Sequence, residues 1–109
     1  MKYLIVEFSD RKRYAIPTEF IADHRAKYYA KKDSERGLGR YDVIYDEELF
    51  YAIDDDYELL DWASNNMDWK GVKDQAILLE TKVEPTDYDK EWTNAKMVIE
   101  FIKPSELDD

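Results

Sequence analysis

The side chains that could do chemistry in this chain are concentrated in one acidic stretch, residues 41–69. The stretch carries ten carboxylates and no lysine, arginine or histidine, so its charge of −10 equals the net charge of the whole 109-residue protein. Residues 1–40 instead have ten basic and six acidic side chains, and residues 70–109 have six basic and ten acidic ones. Segregated acid of this kind could serve metal binding, acid–base catalysis or recognition of a basic surface.

Three consecutive aspartates, Asp54, Asp55 and Asp56, offer the oxygen ligands that calcium and magnesium prefer. Their spacing does not fit an EF-hand loop, which places acids at alternating positions with a glycine at the sixth and a glutamate at the twelfth. Consecutive aspartates are explained more simply as a junction between two helices, where carboxylates interact favourably with the positive end of the next helix dipole. We expect no metal site.

Catalytic groups are scarce. His24 is the only histidine, and a general-base histidine needs an orienting carboxylate and a nucleophile, which the residues around it do not provide. The chain has no cysteine, no glycine-rich phosphate loop and no serine in a nucleophile-elbow motif. Paired carboxylates for glycoside hydrolysis would need a sugar-binding pocket, which a chain this short rarely forms. We expect a protein that is not an enzyme and has no cofactor.

Recognition of a basic surface is the remaining chemistry. DNA presents a negative charge about every 1.7 Å of its axis, and proteins that bind it line their grooves with lysine and arginine. A rigid acidic ridge formed by residues 42–68 could occupy such a groove. Aromatic side chains among the acids, Tyr51, Trp62 and Trp69, could anchor it. The alternative is that the aromatic residues belong to the core and the acids only solubilise the surface. The expected partner-binding residues are Asp46, Glu47, Asp54, Asp55, Asp56, Glu58, Asp61, Trp62, Asp68 and Trp69.

The N-terminal 40 residues predict a hairpin and then a helix. Residues 3–8 and 13–16 are rich in β-branched and aromatic side chains and flank a polar turn, residues 9–12. Pro17 suits the first position of a helix, which should end near residues 33–36 because two glycines follow. The stripe of this helix that faces the core is predicted to contain Phe20, Ile21, His24 and Tyr28.

The acidic stretch predicts two helices, about residues 42–53 and 56–66, because apolar side chains recur there at helical spacing. In the first helix these are Tyr41, Tyr45, Leu49, Ala52 and Ile53, although residues 41–45 could instead be extended. Asp55, followed three residues later by Glu58, resembles a capping box that would start the second helix. Residues 86–95 could form a helical turn or a loop.

Two strands are predicted nearer the C-terminus, over residues 76–83 and 97–101, since apolar side chains alternate there. The tail, residues 104–109, is expected to be loose. These elements predict a single α+β domain, residues 1–109. Its small antiparallel sheet of about four strands would combine the N-terminal hairpin with the two C-terminal strands, and about three helices would pack on one face.

Charge and hydropathy also restrict the partners. The N-terminal apolar run is too short for a signal peptide and no apolar segment could span a bilayer, so we expect a cytoplasmic protein. Phosphate backbones and anionic lipids repel so acidic a chain, and we expect it to bind neither nucleic acid nor membranes directly. In size and charge segregation it resembles the small acidic inhibitors of phages and mobile elements, of the anti-CRISPR and anti-restriction type, which mimic nucleic acid. That resemblance implies a basic nucleic-acid-binding protein or complex as the partner.

A second hypothesis is a structural or adaptor domain that docks through its sheet edge or aromatic surface, or that forms a homodimer. In a head-to-tail homodimer, the acidic surface of one copy would meet basic side chains of the first helix in the other. If instead Lys27 pairs with Asp23, one helical turn away, those side chains are an ordinary solvated face. The basic side chains concerned are Arg25, Lys27, Lys31, Lys32 and Arg36.

If the acidic ridge binds the partner, replacing Asp54, Asp55 and Asp56 by asparagine should weaken the complex and leave the fold intact. Capture of the partner at about 0.1 M and about 0.5 M salt measures the effect, since salt screens exposed charges. Equal capture by the variant and the wild type would contradict the prediction.

Overall fold

A four-stranded antiparallel sheet carries helices on one face in this computed structural model, which describes residues 1–9, 12–80 and 88–102. The strands are β1 (Lys2–Glu7), β2 (Arg13–Pro17), β3 (Ile77–Glu80) and β4 (Lys96–Phe101), in the sheet order β3-β2-β1-β4. The helices are α1 (Thr18–Glu35), α2 (Tyr41–Ile53), α3 (Asp56–Asn66) and the one-turn helices α4 (Trp69–Val72) and α5 (Tyr88–Glu91). Short 3-10 turns, Lys73–Gln75 and Trp92–Asn94, follow α4 and α5. The predicted α+β fold is confirmed.

The N-terminal hairpin forms the middle of the sheet. Leu4, Val6 and Phe8 are buried against the helices, joined from β2 by Ile16, because alternate strand residues share one face. Pro17 ends β2 and lies opposite Tyr3. It is also the N-cap residue of α1, so the first helix begins at Thr18, one residue later than predicted.

The first helix turns a different face to the core from the one predicted. Ile21 is buried, but His24 and Tyr28 are exposed, and Phe20 is half-buried. The other buried positions of α1 are Thr18, Ala22, Arg25, Ala26 and Ala30. Alanines at four-residue spacing line one side of the helix, and their small side chains let α1 pack closely along α2, its most extensive helix contact.

The helix ends are where the sequence predicts them. Gly37, just beyond α1, has a φ of +76°, which glycine adopts without strain. The N–H of Leu38 donates to the carbonyl of Asp33 over 2.9 Å and closes the last turn. Asp55 caps α3 by accepting the N–H of Glu58 over 3.1 Å, which is one of the two bonds of the predicted capping box. The second bond does not form, because the N–H of Asp55 donates to the carbonyl of Ala52 and the carboxylate of Glu58 lies beside Arg25.

The C-terminal strands pair with opposite edges of the hairpin. β4 lies beside β1 with Leu4 opposite Ile99, and β3 lies beside β2 with Ala15 opposite Ile77. The chain therefore crosses from one edge of the sheet to the other between them. The end of the predicted third strand, residues 81–83, and the tail, residues 104–109, lie outside the described residues.

One cation is buried between the three long helices. Arg25 of α1 is 7% exposed, and its Nη1 donates to Oε1 of Glu48 on α2 over 2.7 Å. Its Nε lies 3.4 Å from the carboxylate of Glu58 on α3. The guanidinium also lies over the rings of Tyr29 and Tyr51, at 4.8 and 5.1 Å from their centroids. Arg25 therefore joins the helices, and its assignment to a basic surface was wrong.

Replacing Arg25 by methionine should lower the free energy of unfolding by about 3 kcal/mol, because two partly buried carboxylates lose their counter-charge. Urea unfolding measures the change. Arg36→Met, at an exposed position just beyond the same helix, is the control and should change stability by no more than about 0.5 kcal/mol. The triple variant with Glu48→Gln and Glu58→Gln should recover part of the loss, and an unaltered Arg25→Met protein would contradict the assignment.

Candidate functional site

Two acids of the predicted ridge cap helices. Asp55 caps α3, and Asp68 caps α4 by accepting the N–H of Gly71 over 2.8 Å. A capping carboxylate satisfies a backbone N–H that has no partner within the helix and interacts favourably with the helix dipole. Asp55 is half-buried and Asp68 exposed, and both have a structural role.

Three further ridge acids are paired within the protein. Asp56 lies 2.6 Å from Nζ of Lys2, Glu58 faces the buried arginine, and Asp61 accepts from the side-chain amide of Asn65 over 2.9 Å. Replacing Asp54, Asp55 and Asp56 together would therefore change a surface group, a cap and an ion pair at once. That triple variant does not isolate the surface charge.

The two tryptophans of the predicted site contribute to packing. Trp62 is 6% exposed, and its indole N–H donates to Nδ1 of His24 over 2.9 Å. Trp69 is half-buried and packs in an aromatic cluster whose other members are Phe8, Tyr14 and Tyr88. The alternative interpretation, that aromatic residues in the acidic stretch belong to the core, holds for Trp62.

Among the described residues, His24 has one hydrogen bond, from Trp62. Its ring is exposed, and the side chain it bonds to is an indole. A general base would need a carboxylate to orient it and a nucleophile within reach. Neither contacts His24 in the described part of the chain.

Three acids of α2 and its C-terminal end remain accessible. Asp46, Glu47 and Asp54 are exposed and have no hydrogen bond or ion pair with any described residue. Phe50 lies between them, three to four residues from each, and is 76% exposed. Val43 continues the same side of the helix and is 48% exposed. We call these five residues the α2 stripe.

Helical periodicity alone does not identify the apolar half of the α2 stripe. Val43, Ile44 and Phe50 all fall outside the predicted set of Tyr41, Tyr45, Leu49, Ala52 and Ile53. In the structure Ile44 is buried, whereas Val43 and Phe50 are exposed, and so is Tyr41 of the predicted set. Exposed apolar side chains that share one side of a helix are typical of a contact surface.

A cleft of about 390 Å³ opens beside the α2 stripe, between α1 and α2. Carboxylates of α1 form its polar part and apolar side chains of α2 its other wall, with Phe50 belonging to both cleft and stripe. Within the cleft, the hydroxyl of Tyr45 on α2 donates to Oδ1 of Asp23 on α1 over 2.5 Å. The lining residues are Glu19, Asp23, Tyr45, Leu49, Phe50 and Ile53.

The hydrogen bond between Tyr45 and Asp23 affects the pKa of both side chains. Burial alone would raise the pKa of Asp23, but the bond from Tyr45 and the nearby ammonium of Lys27 together hold it below its ordinary value. The bond to Asp23, with desolvation and the negative charge of Asp23, raises the pKa of Tyr45 to about 12. Asp23 is therefore a carboxylate and Tyr45 a neutral phenol at physiological pH. Lys27 lies 3.0 Å from Asp23, which confirms the predicted pair.

No protein-family model, curated protein or solved structure matches this chain. Within residues 1–9, 12–80 and 88–102, no three histidine, aspartate or glutamate side chains converge on a point where they could hold a metal ion. None of the described helices has the length and apolar character needed to cross a membrane. The function of the protein is therefore inferred from the α2 stripe and the cleft.

The bond between Tyr45 and Asp23 predicts an alkaline limit to stability. Because the pKa of Tyr45 is about 12 in the folded protein and 10.0 without the fold, its contribution is complete below pH 10 and is lost as the pH rises toward 12. Urea unfolding at pH 8, 10 and 11 should show a shallower decline above pH 10 for Tyr45→Phe than for the wild type. Tyr57→Phe, which removes a hydroxyl from a 75% exposed ring, is the control, and equal slopes for Tyr45→Phe and wild type would refute the assignment.

Proposed function

We propose that this protein is an acidic protein-binding module whose α2 stripe occupies a basic, nucleic-acid-binding surface of a partner protein. It would act as an inhibitor, because nucleic acid could not bind that surface at the same time. The observation that carries the proposal is Phe50, three-quarters exposed and flanked along the helix by three carboxylates that no described residue neutralises.

The spacing of charges indicates how such a surface would bind. Asp46 and Asp54 are eight residues apart, or about 12 Å along a helix, and that length of duplex DNA would carry about seven phosphates. Three carboxylates reproduce only part of that charge. The net charge of −10 would attract and orient a basic partner at long range, while the apolar contact of Phe50 would hold it once bound. Binding should therefore weaken in salt without vanishing.

The cleft beside the α2 stripe suits a basic side chain of the partner. Glu19 and Asp23 would face the cationic head of an arginine or lysine, and Leu49 and Ile53 its apolar stem. Lys27 neutralises part of the charge on Asp23, but Glu19 is exposed and has no ion pair within the described chain. The cleft thus supplies a directional contact that a uniformly charged surface lacks.

The variant Asp46→Asn/Glu47→Gln/Asp54→Asn should weaken capture of the partner at about 0.1 M salt by tenfold or more, since each exposed ion pair contributes up to about 1 kcal/mol. Phe50→Ala should weaken capture at both about 0.1 M and about 0.5 M salt. The partner is identified by mass spectrometry and purified. Displacement of a labelled DNA duplex from it, followed by fluorescence anisotropy, then tests for competition.

The matched control is Asp33→Asn/Glu35→Gln/Asp74→Asn. It also raises the net charge by three, from −10 to −7, but at positions outside the α2 stripe and the cleft. Leu38→Ala removes an apolar side chain that is 64% exposed and lies outside the α2 stripe, and it controls for loss of an exposed apolar group. A partner that both triple variants bind equally well, or that retains its DNA, would contradict mimicry and favour the adaptor hypothesis.

A further inference from the structure

The outer edge of β4 carries backbone groups that can pair with another strand. No described strand lies beyond β4, and two hydrogen bonds show which of its residues face outward. Phe8 N–H donates to the carbonyl of Lys12, and Ile102 N–H donates to that of Met1. In an antiparallel sheet the bonds alternate from residue to residue, so odd-numbered residues of β1 bond to even-numbered residues of β4. The backbones of Met97, Ile99 and Phe101 therefore point away from the sheet.

This edge is complementary to itself. If a second copy runs antiparallel with Val98 opposite Val98, Met97 faces Ile99 of the second copy and both exchange backbone hydrogen bonds. Lys96 then lies opposite Glu100 at both ends of the pairing. Natural proteins use charges on edge strands to repel other strands, but here the charges are of opposite sign and symmetric about Val98. They favour pairing with an identical edge.

An exposed ring and a groove match in the same register. Phe101 is 77% exposed and lies on the helix side of β4, and in the paired edge it falls opposite Ala95 of the second copy. Ala95 lines a groove of about 340 Å³ between α3 and the beginning of β4. The other lining residues are Tyr57, Leu60, Asp61, Ser64, Thr93 and Met97. Each copy thus presents a phenyl ring and a groove at the positions where the other copy needs them.

We propose that two copies of this chain pair through β4 as a twofold-symmetric dimer, in which the two sheets join into eight strands and each Phe101 enters the groove of the other copy. The contact is isologous, with the same residues on both sides, so it closes on itself and forms no filament. It has no residue in common with the α2 stripe, and the two proposals can fail independently.

Sedimentation equilibrium from about 1 to about 200 µM tests the dimer. We expect a reversible dimer for the wild type and a dissociation constant raised about a hundredfold for Phe101→Ala, because two grooves are emptied at once. Phe50→Ala, matched in exposure, should leave the constant unchanged. A wild-type monomer throughout this range, or equal constants for the two phenylalanine variants, would overturn the proposal.

Charge reversal tests the register. Lys96→Glu places a glutamate opposite Glu100 at both ends of the pairing and should raise the dissociation constant about tenfold. Lys96→Glu/Glu100→Lys restores opposite charges and should return the constant to within about threefold of the wild-type value. Lys73→Glu, at an exposed position on a 3-10 turn, is the charge control. Glu100 also lies 3.6 Å from Arg13 within the protein, so the thermal unfolding of each variant monomer is recorded as well. A double variant as weak as the single one would exclude this register.

Hydrogen exchange examines the same register without substitution. The amides of Met97 and Ile99 should gain protection as the protein concentration rises through the dissociation constant. Those of Val98 and Glu100, already bonded to β1, should not change. Protection independent of concentration at Met97 and Ile99 would refute pairing through β4.

Discussion

The burial of one guanidinium group determines how the three long helices are arranged. Arg25 is withdrawn from water on α1, and its charge is balanced only if α2 supplies Glu48 and α3 supplies Glu58. Its Nε is buried without a hydrogen bond, although it lies 3.4 Å from the carboxylate of Glu58. The rings of Tyr29 and Tyr51 on either side contribute cation–π attraction.

This requirement divides the acidic stretch. Acids that look equivalent in sequence have opposite roles, since Glu48 and Glu58 face the buried cation while Asp46 and Glu47 face solvent. The net charge of the stretch therefore overstates what a partner would meet. What remains accessible is concentrated along α2, where carboxylates and an exposed phenylalanine share one side of a helix.

Elements with strong local signals could be predicted, and contacts between distant residues could not. Glycine after α1, the aspartate cap of α3 and the alternation in the strands each depend on neighbours within a few residues. The core-facing side of α1 was predicted correctly for Ile21 and wrongly for His24 and Tyr28, because large side chains were expected inward and the helix also buries alanines and an arginine. Lys2 and Asp56 are 54 residues apart, and nothing in their local sequence reveals the pair. The exposed apolar residues of α2 could not be separated from its buried Ile44 by periodicity, because Val43, Ile44 and Phe50 all lie outside the predicted set.

The central position of the N-terminal hairpin has a consequence for biosynthesis. β1 is made first, yet one of its edges pairs with β4, residues 96–101, so the sheet closes only after nearly the whole described chain has been synthesised. Protein synthesis proceeds at about 5–20 residues per second, so that edge of the hairpin remains unpaired for several seconds before β4 has been made. During this interval the backbone groups of Ile5 that β4 later pairs with have no strand to bond to. Rapid docking of the helices on the opposite face would not remove this exposure, because only the last strand covers that edge.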